Sequence, residues 1–321
     1  MPVKKKGKKK KNTYYSDMCF ALFILLTIAC HFHGIKALSL FAVSVLSALI
    51  FDCIGCKVIN RKFKIKNCHA IFIGGLTALM LPASAPLWLP VAGCAFSVFM
   101  IKIPFGSLNL SPFSAVAAGI AFLSICRPDL VFDYQSDSVG SISIAQSLSR
   151  GTPIVTAIDL INAFIGSVPG AMGTTCTVAM LGLLIFVILK RPKNFLNSFA
   201  FLFTCFIGAV IITAVNSENF FTQNVFRVIC LRMCSGFTLC MAVFFVTEDS
   251  LLPKKNIQRI LYGMMMGVVY IILNRVGTYE DAGCFAVLLT NAFWPVIKKY
   301  IFTAGKVRTE VVANEPTESL T

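Results

Sequence analysis

Long apolar segments recur along almost the whole chain, and they constrain its fold more than any other feature. Each run of about 15 to 22 apolar residues is long enough to cross the hydrocarbon core of a bilayer as an α-helix. Short clusters of lysine and arginine separate many of these runs. A chain in hydrocarbon must satisfy its own backbone polar groups, and a helix does so within one segment. The sequence therefore predicts an all-α integral membrane protein.

The composition supports this prediction. The chain has 321 residues, of which 57% are hydrophobic and 13% are charged, whereas a soluble domain carries about 25% charged residues. A net charge of +15 would suggest nucleic acid if it covered one face. Here the charge lies in short clusters beside apolar runs, which is typical of membrane proteins. We therefore expect contact with membrane lipid and none with nucleic acid.

We count ten apolar runs. They lie at residues 18–34, 37–56, 68–85, 88–103, 112–126, 172–189, 195–215, 226–246, 257–273 and 283–302. Seven lysines between Lys4 and Lys11 precede the first run, and positive residues beside a membrane segment hold that end in the cytoplasm. With ten spans, 23 of the 29 lysines and arginines fall on the cytoplasmic side. Both termini are therefore expected in the cytoplasm.

The two halves of the chain resemble each other in short stretches. Residues 73–79 in the third run are similar to 234–239 in the eighth, and 113–116 in the fifth are similar to 285–287 in the tenth. An offset of five spans gives the copies opposite orientations, so we predict two inverted five-helix repeats. Inverted repeats usually place a binding site between the halves. We also expect Gly75 and Gly236 to permit close helix approach there.

These spans divide the chain into five regions. They are a basic cytoplasmic N-terminal tail (1–17), a first membrane half (18–126), an extracytoplasmic loop (127–173), a second membrane half (174–302) and a polar cytoplasmic C-terminal tail (303–321). The loop closes with a glycine-rich turn that contains Gly166, Gly170 and Gly173. Such a turn before a helix can present backbone N–H groups to a phosphate. The alternative is a solvated turn that caps the sixth span.

The order of motifs resembles one known family. The motifs are Gly75-Leu76-Thr77-Ala78-Leu79-Met80-Leu81-Pro82, then Gly166-Ser167-Val168-Pro169-Gly170, then Gly277-Thr278-Tyr279-Glu280 with Phe285-Ala286-Val287-Leu288-Leu289-Thr290-Asn291-Ala292. They are similar to RnfD, a membrane component of the Rnf electron-transport complex, and to its sister NqrB in the sodium-pumping NADH:quinone reductase. The resemblance extends from about residue 18 to residue 302 and implies ten spans in two inverted halves.

The resemblance also implies a flavoprotein component of a bacterial inner-membrane translocase. Members carry covalent flavin mononucleotide (FMN) on a threonine outside the membrane, and a second, non-covalent riboflavin is typical. Electrons would pass between ferredoxin and NAD, coupled to Na⁺ or H⁺ transport, with the other complex subunits and a flavin transferase as partners. Thr152 would be the FMN attachment residue, with Ser149, Arg150 and Gly151 completing the motif. Gly166, Gly170 and Gly173 would help to form the pocket.

The chain departs from the family motif at two of these positions. Arg150 stands where the motif has glycine, and Gly151 stands where it has alanine. Arg150 could pair with the flavin phosphate, since a guanidinium matches phosphate oxygens, or it could mark loss of the flavin. Two alternatives to an electron carrier therefore stay open: a non-redox secondary transporter and a flavin-free assembly scaffold.

Three acidic residues near the predicted cytoplasmic ends of spans are candidates for ion coupling. Asp52 lies near the inner end of the second span, and Glu248 and Asp249 follow the eighth. Charged groups at such depth face a cavity or a partner by default. For Glu248 and Asp249 the alternative is an ordinary loop at a helix end. Cys53 and Cys56 form a Cys-x-x-Cys pair, which we interpret as small apolar fillers.

Overall fold

A computed structural model describes residues 8–60, 68–105, 111–134, 160–216, 223–234, 237–276 and 282–313. Within these ranges all regular secondary structure is helical. The predicted all-α class is therefore confirmed. The attachment motif from Ser149 to Thr152 and the close-approach residue Gly236 lie outside the described ranges.

The first half of the chain contains six described helices. They are α1 (Lys8–His33), α2 (Ile35–Val58), α3 (His69–Leu79), α4 (Trp88–Phe96), α5 (Ala115–Cys126) and α6 (Pro128–Val131). After α4 the chain continues as a π-helical turn, Ser97–Lys102. Gly34 separates α1 from α2 with φ at +63°, a backbone conformation that glycine adopts without a steric penalty.

The second half contains seven described helices. They are α7 (Leu160–Ile165), α8 (Thr177–Lys190), α9 (Pro192–Asn216), α10 (Gln223–Cys234), α11 (Phe237–Cys240), α12 (Asn256–Val276) and α13 (Ala282–Ala313). A π-helical segment, Met241–Phe245, extends α11. Pro192 begins α9 because the first helical residue needs no intrahelical N–H bond.

A helix lies in each of the ten predicted apolar runs, but the helices differ in length. Within the described residues, four apolar helical stretches are long enough to cross a membrane: Tyr14–His33, Ile35–Val58, Pro192–Val215 and Asn256–Val276. A fifth candidate is the bent pair Val225–Cys234 and Phe237–Phe245, which changes direction by 47°. Ten membrane crossings stay a prediction.

Two predicted spans are only partly helical. The third run, 68–85, is helical as far as Leu79, and Pro82 follows in a turn. The sixth run, 172–189, becomes helical only at Thr177. Apolar composition alone does not distinguish a buried turn from a helix, which explains both differences.

Helix pairs in the first half have counterparts in the second. The contacts of α1 with α2, of α2 with α4 and of α4 with α5 correspond to those of α8 with α9, α9 with α12 and α12 with α13. The halves meet where α5 packs against α13. This recurrence fits the predicted repeat, whose inversion stays a prediction.

The closest crossing of α2 and α3 depends on Gly74. The Ser44 hydroxyl donates to the Gly74 carbonyl over 2.7 Å, and a Cβ on Gly74 would lie 2.7 Å from the Ser44 carbonyl oxygen. Gly75, in contrast, faces the side chains of Phe41 and Leu22. These residues all belong to the first half, so the expected close approach at Gly75 lies within that half and not between the two.

Large apolar side chains cover the outer faces of the long helices. On α2 these include Leu46 and Ile50, and on α9 they include Phe199 and Phe203, each more than 50% exposed. Such continuous apolar surface is expected where a helix faces lipid. The packing thus supports a multi-pass membrane protein.

Candidate functional site

A buried carboxyl group, Glu248, lies in the turn that follows the π-helical end of α11. Glu248 as a whole is only 2% exposed. The Ser250 hydroxyl donates to Glu248 Oε1 over 3.1 Å. An ionised carboxylate loses its hydration when buried, so this group is expected to hold a proton more tightly than usual.

Burial raises the pKa of Glu248 from 4.5 to about 7. Hydrogen bonding by the hydroxyls of Ser114 and Ser250 lowers this pKa, and the nearby Asp249 carboxylate raises it. Because the loss of hydration is the largest effect, the group titrates near neutral pH. A carboxyl group with this property can gain or release a proton near neutral pH.

Aromatic rings pack together close to this carboxyl group. Tyr14 and Tyr15 are at most 1% exposed, and their ring centroids are 5.2 Å apart. The Tyr15 ring also lies 4.4 Å from the ring of His69 and 5.4 Å from that of Phe72. The start of α1 and the start of α3 therefore pack together beside the turn of Glu248.

Hydrogen bonding by Tyr15 lowers the pKa of Glu248, so this hydroxyl belongs to the surroundings of the carboxyl group. The buried Nε2 of His69, on the ring beside Tyr15, has no hydrogen-bond partner among the described residues. Buried polar atoms are normally paired with protein or with ordered water.

Side chains of α9 satisfy the carbonyl groups of the π-helical segment. Asn197 Nδ2 donates to the Val246 carbonyl over 2.6 Å, and the Ser198 hydroxyl donates to Ala242 over 2.7 Å. Asn194 Nδ2 donates to the Thr247 carbonyl over 3.1 Å. π-Helical turns occur frequently at functional sites, and here the turn leads directly into Glu248.

Sequence reasoning missed this arrangement on α9. Its signal was present, since Asn194, Asn197 and Ser198 occupy positions i, i+3 and i+4 of a helix and so share one face. Polar residues in an otherwise apolar helix commonly mark contacts within a membrane protein.

The candidate Asp52 is paired, which changes its interpretation. Lys102 Nζ lies 2.8 Å from Asp52 Oδ1, and the two side chains are 9% and 12% exposed. The Cys56 thiol is also 3.9 Å from the same carboxylate oxygen. An ammonium group thus occupies the position that a bound cation would take. The structure assigns Asp52 to an ion pair between α2 and the end of the π-helical turn.

The glycine-rich turn packs against the far end of α3. The Gly173 N–H donates to the Leu79 carbonyl over 2.7 Å, and the Met172 N–H donates to that of Leu81 over 3.1 Å. Gly166 has φ at +103°. The alternative of a solvated turn holds only for its first part: Ser167 is exposed, whereas Ala171 and Met172 are each 3% exposed and therefore buried.

Protein atoms fill the space beside each glycine of this turn. A Cβ would lie 2.7 Å from Leu79 at Gly173, 3.0 Å from Thr175 at Gly170 and 3.0 Å from Cys176 at Gly166. Packing therefore explains the three glycines without a ligand. Their predicted part in a flavin pocket stays a prediction, as does the attachment at Thr152.

The glycine-rich turn and the Glu248 carboxyl group lie near opposite ends of α3. His69 at its start contacts Tyr15, and Leu79 at its end bonds to Gly173. Ten residue steps of 1.5 Å separate these ends by about 15 Å. The structure thus places the two candidate regions apart.

Comparison with known proteins matches the chain to the NQR2, RnfD, RnfE family over residues 3–305. The RnfD component of the Na⁺-translocating ferredoxin:NAD⁺ oxidoreductase complex of Acetobacterium woodii is 24% identical over 312 residues, which cover 92% of each chain. The RnfD component of an ion-translocating oxidoreductase complex from Escherichia fergusonii is 24% identical over 310 residues, covering 84% of this chain and 86% of the relative.

A third relative comes from the sister complex. The NqrB component of the Na⁺-translocating NADH-quinone reductase of Chromohalobacter salexigens is 27% identical over 262 residues, covering 76% of this chain and 62% of the relative. All three relatives are components of ion-translocating oxidoreductase complexes by name. The match over nearly the whole length confirms the resemblance found in the motifs, and the chain belongs to the NQR2, RnfD, RnfE family.

Proposed function

We propose that this chain is a membrane subunit of an Rnf-type ion-translocating oxidoreductase, a non-autonomous part of a translocase. In the complete complex, electrons would pass between ferredoxin and NAD while Na⁺ or H⁺ crosses the bacterial inner membrane. Membership of the family and the names of its relatives support this proposal. The other subunits of the complex would be its stable partners.

The observation that carries a role in ion coupling is the buried carboxyl of Glu248. Its pKa of about 7 lets small changes in local charge alter its protonation. Tyr15 hydrogen-bonds to this carboxyl group, and the unpaired Nε2 of His69 on the neighbouring ring would bind a water near it. We infer that Glu248 takes up and releases the coupling proton, or exchanges it for Na⁺, as electrons pass through the complex.

The clustering of helix ends supports the predicted topology with cytoplasmic termini. Tyr14 at the start of α1 contacts Thr247 after α11, and Arg191 before α9 pairs with Asp249. Asp52 at the end of α2 meets Lys102 at the end of the π-helical turn. The positive-inside prediction assigns all of these ends to the cytoplasmic side, so Glu248 would lie near that surface.

We further propose that Thr152 carries covalent FMN and that riboflavin is a second cofactor. The motif Ser149-Arg150-Gly151-Thr152 supports the attachment, and a flavin transferase would load the group. A bound flavin would supply the electron-transfer chemistry, while the chain would hold and orient it. Arg150 would pair with the phosphate.

Two experiments test these proposals separately. Intact mass and in-gel flavin fluorescence of the complex, expressed with a flavin transferase, should show an FMN adduct that Thr152→Ala removes and Thr156→Ala retains. An adduct that persists in Thr152→Ala would move the anchor elsewhere. If the unaltered chain carries no flavin, a scaffold or a non-redox transporter becomes the better account.

For ion coupling, the complex in proteoliposomes would be assayed with Glu248→Gln. We expect electron transfer to continue while ion uptake for each electron falls and loses its dependence on pH between about 6 and 8. Arg127→Gln, which alters an exposed ion pair, is the matched control. Unchanged uptake in Glu248→Gln would overturn the assignment. Substrate uptake by the isolated chain would favour the transporter.

A further inference from the structure

Glu248 lies between two residues that the same guanidinium group holds in place. Asp249, which follows Glu248, pairs directly with Arg191. Thr247, which precedes Glu248, is connected to Arg191 through Tyr14. Arg191 lies at the junction of α8 and α9, 57 positions before Glu248 in the numbering. Nothing about its position in the sequence suggests a link to this turn.

The contact with the following residue is direct. Arg191 Nη1 lies 2.7 Å from Asp249 Oδ2, and Asn194 Nδ2 lies 2.5 Å from Asp249 Oδ1. Both carboxylate oxygens of Asp249 are therefore held by residues at the start of α9. Charge-assisted hydrogen bonds of this kind are about twice as strong as neutral ones.

The contact with the preceding residue passes through an aromatic ring. The Arg191 guanidinium carbon lies 4.9 Å from the Tyr14 ring centroid, a cation–π distance. The Tyr14 hydroxyl is 3.3 Å from Thr247 Oγ1. Asn194 also binds the Thr247 carbonyl, so the backbone before Glu248 is fixed from the same side.

Arg191 is itself held in place. Its second nitrogen, Nη2, lies 3.2 Å from Asp17 Oδ2 on α1, and its side chain is 12% exposed. Arg259 Nη1 bonds to Asn194 Oδ1 over 3.2 Å, which adds a second positive charge beside this network. The junction before α9, the start of α1 and the turn of Glu248 are thereby joined at one residue.

We propose that Arg191 is a positioning residue that, by pairing with the adjacent Asp249 carboxylate, fixes Glu248 in its buried place. Two neighbouring carboxyl groups then have different roles: Asp249 is held by Arg191 and Asn194, and Glu248 remains free to exchange its proton or cation. This inference rests on the proposed coupling role of Glu248. The test of this inference measures unfolding and requires no ion transport. The inference about Arg191 and the coupling role of Glu248 can therefore fail independently.

The other ionisable groups that face Glu248 come from three elements. They are Tyr15 on α1, Tyr262 on α12 and Asp249 in its own turn, with Tyr14 beside Thr247. The Asp249 carboxylate raises the pKa of Glu248, so a change in the pairing of Asp249 should alter the electrostatic environment of Glu248. Loss of Arg191 would leave the Asp249 charge uncompensated and make ionisation of Glu248 harder.

The test measures the pH dependence of unfolding of the full chain in detergent. Stability should fall as pH rises and become constant once Glu248 is ionised in the folded protein. In Arg191→Gln the pH at which the curve becomes flat should increase by about one unit. In Asp249→Asn it should decrease, because a repelling charge is removed. Arg191→Lys, which keeps the charge, should shift it less than Arg191→Gln.

Arg127→Gln serves as the control because its partner Asp129 is exposed and lies apart from the network. A purely structural role for Arg191 would lower stability equally at every pH, and that result would overturn the proposal. If Arg191→Gln does not fold, Asp249→Asn decides alone. The inference is then contradicted if the pH at which the stability curve becomes flat is unchanged or increased in Asp249→Asn. In the assembled complex, Arg191→Gln should shift the pH profile of ion uptake in the same direction.

Discussion

The ammonium group of Lys102 lies 2.8 Å from Asp52 Oδ1, and both side chains are nearly buried. The pair joins the end of α2 to the π-helical turn after α4. In a low-dielectric interior each charge requires the other, because an unpaired buried ion is strongly destabilising.

Removing one member of this pair should cost far more than removing both. Lys102→Met leaves Asp52 without a counterion and should lower the free energy of unfolding by about 3–5 kcal/mol. The double variant Asp52→Asn with Lys102→Met should recover most of that loss. Denaturant titration in detergent measures both. Equal stability of the single and double variants would contradict the ion-pair interpretation.

Glu248 should make stability depend on pH. Its folded pKa is raised from 4.5 to about 7, so the folded chain retains a proton that the unfolded chain has released. This contribution is complete below about pH 4.5 and is lost as the pH rises to 7. Glu248→Gln mimics the protonated group and should raise the thermal midpoint more at pH 8 than at pH 5. A constant difference across this range would contradict the raised pKa of Glu248.

Gly74 should not tolerate a methyl group, because a Cβ there would meet the backbone of α2 at 2.7 Å. Gly74→Ala is therefore expected to lower the thermal midpoint and the yield of folded protein. Gly182→Ala is the matched control, since nothing lies within 4 Å of the added carbon and alanine favours a helix by roughly 0.5–1 kcal/mol. Equal thermal midpoints and yields for Gly74→Ala and Gly182→Ala would contradict the close crossing of α2 and α3.

The bond from Asn197 to the Val246 carbonyl should stabilise the π-helical segment. Asn197→Leu removes the donor and leaves a buried carbonyl unpaired, which should cost about 1–3 kcal/mol. Thr204→Val provides the comparison, because within the described part of the chain its hydroxyl bonds to the Ala200 carbonyl of its own helix. Hydrogen exchange of residues 241–248 should accelerate in Asn197→Leu and not in Thr204→Val.

The apolar runs located the helices well because hydrophobicity is a local property of each segment. The motifs from Gly75 and from Phe285 likewise identified the family. The boundaries were less well predicted: the chain leaves α3 at Leu79 and enters α8 only at Thr177. Turns buried against other helices are as apolar as the helices themselves, as Ala171 and Met172 illustrate.

The sequence by itself determined the class of protein, the positions of its apolar helices and the family to which it belongs. Tertiary structure alone decided which charges are paired. Asp52 was a candidate ion ligand until Lys102 was found beside it. For Glu248, the sequence left ion coupling and an ordinary loop as alternatives, and only its burial separates them. Tyr14 and Thr247 are 233 positions apart. Electrostatic and hydrogen-bonding environments depend on such long-range contacts, which no local pattern encodes.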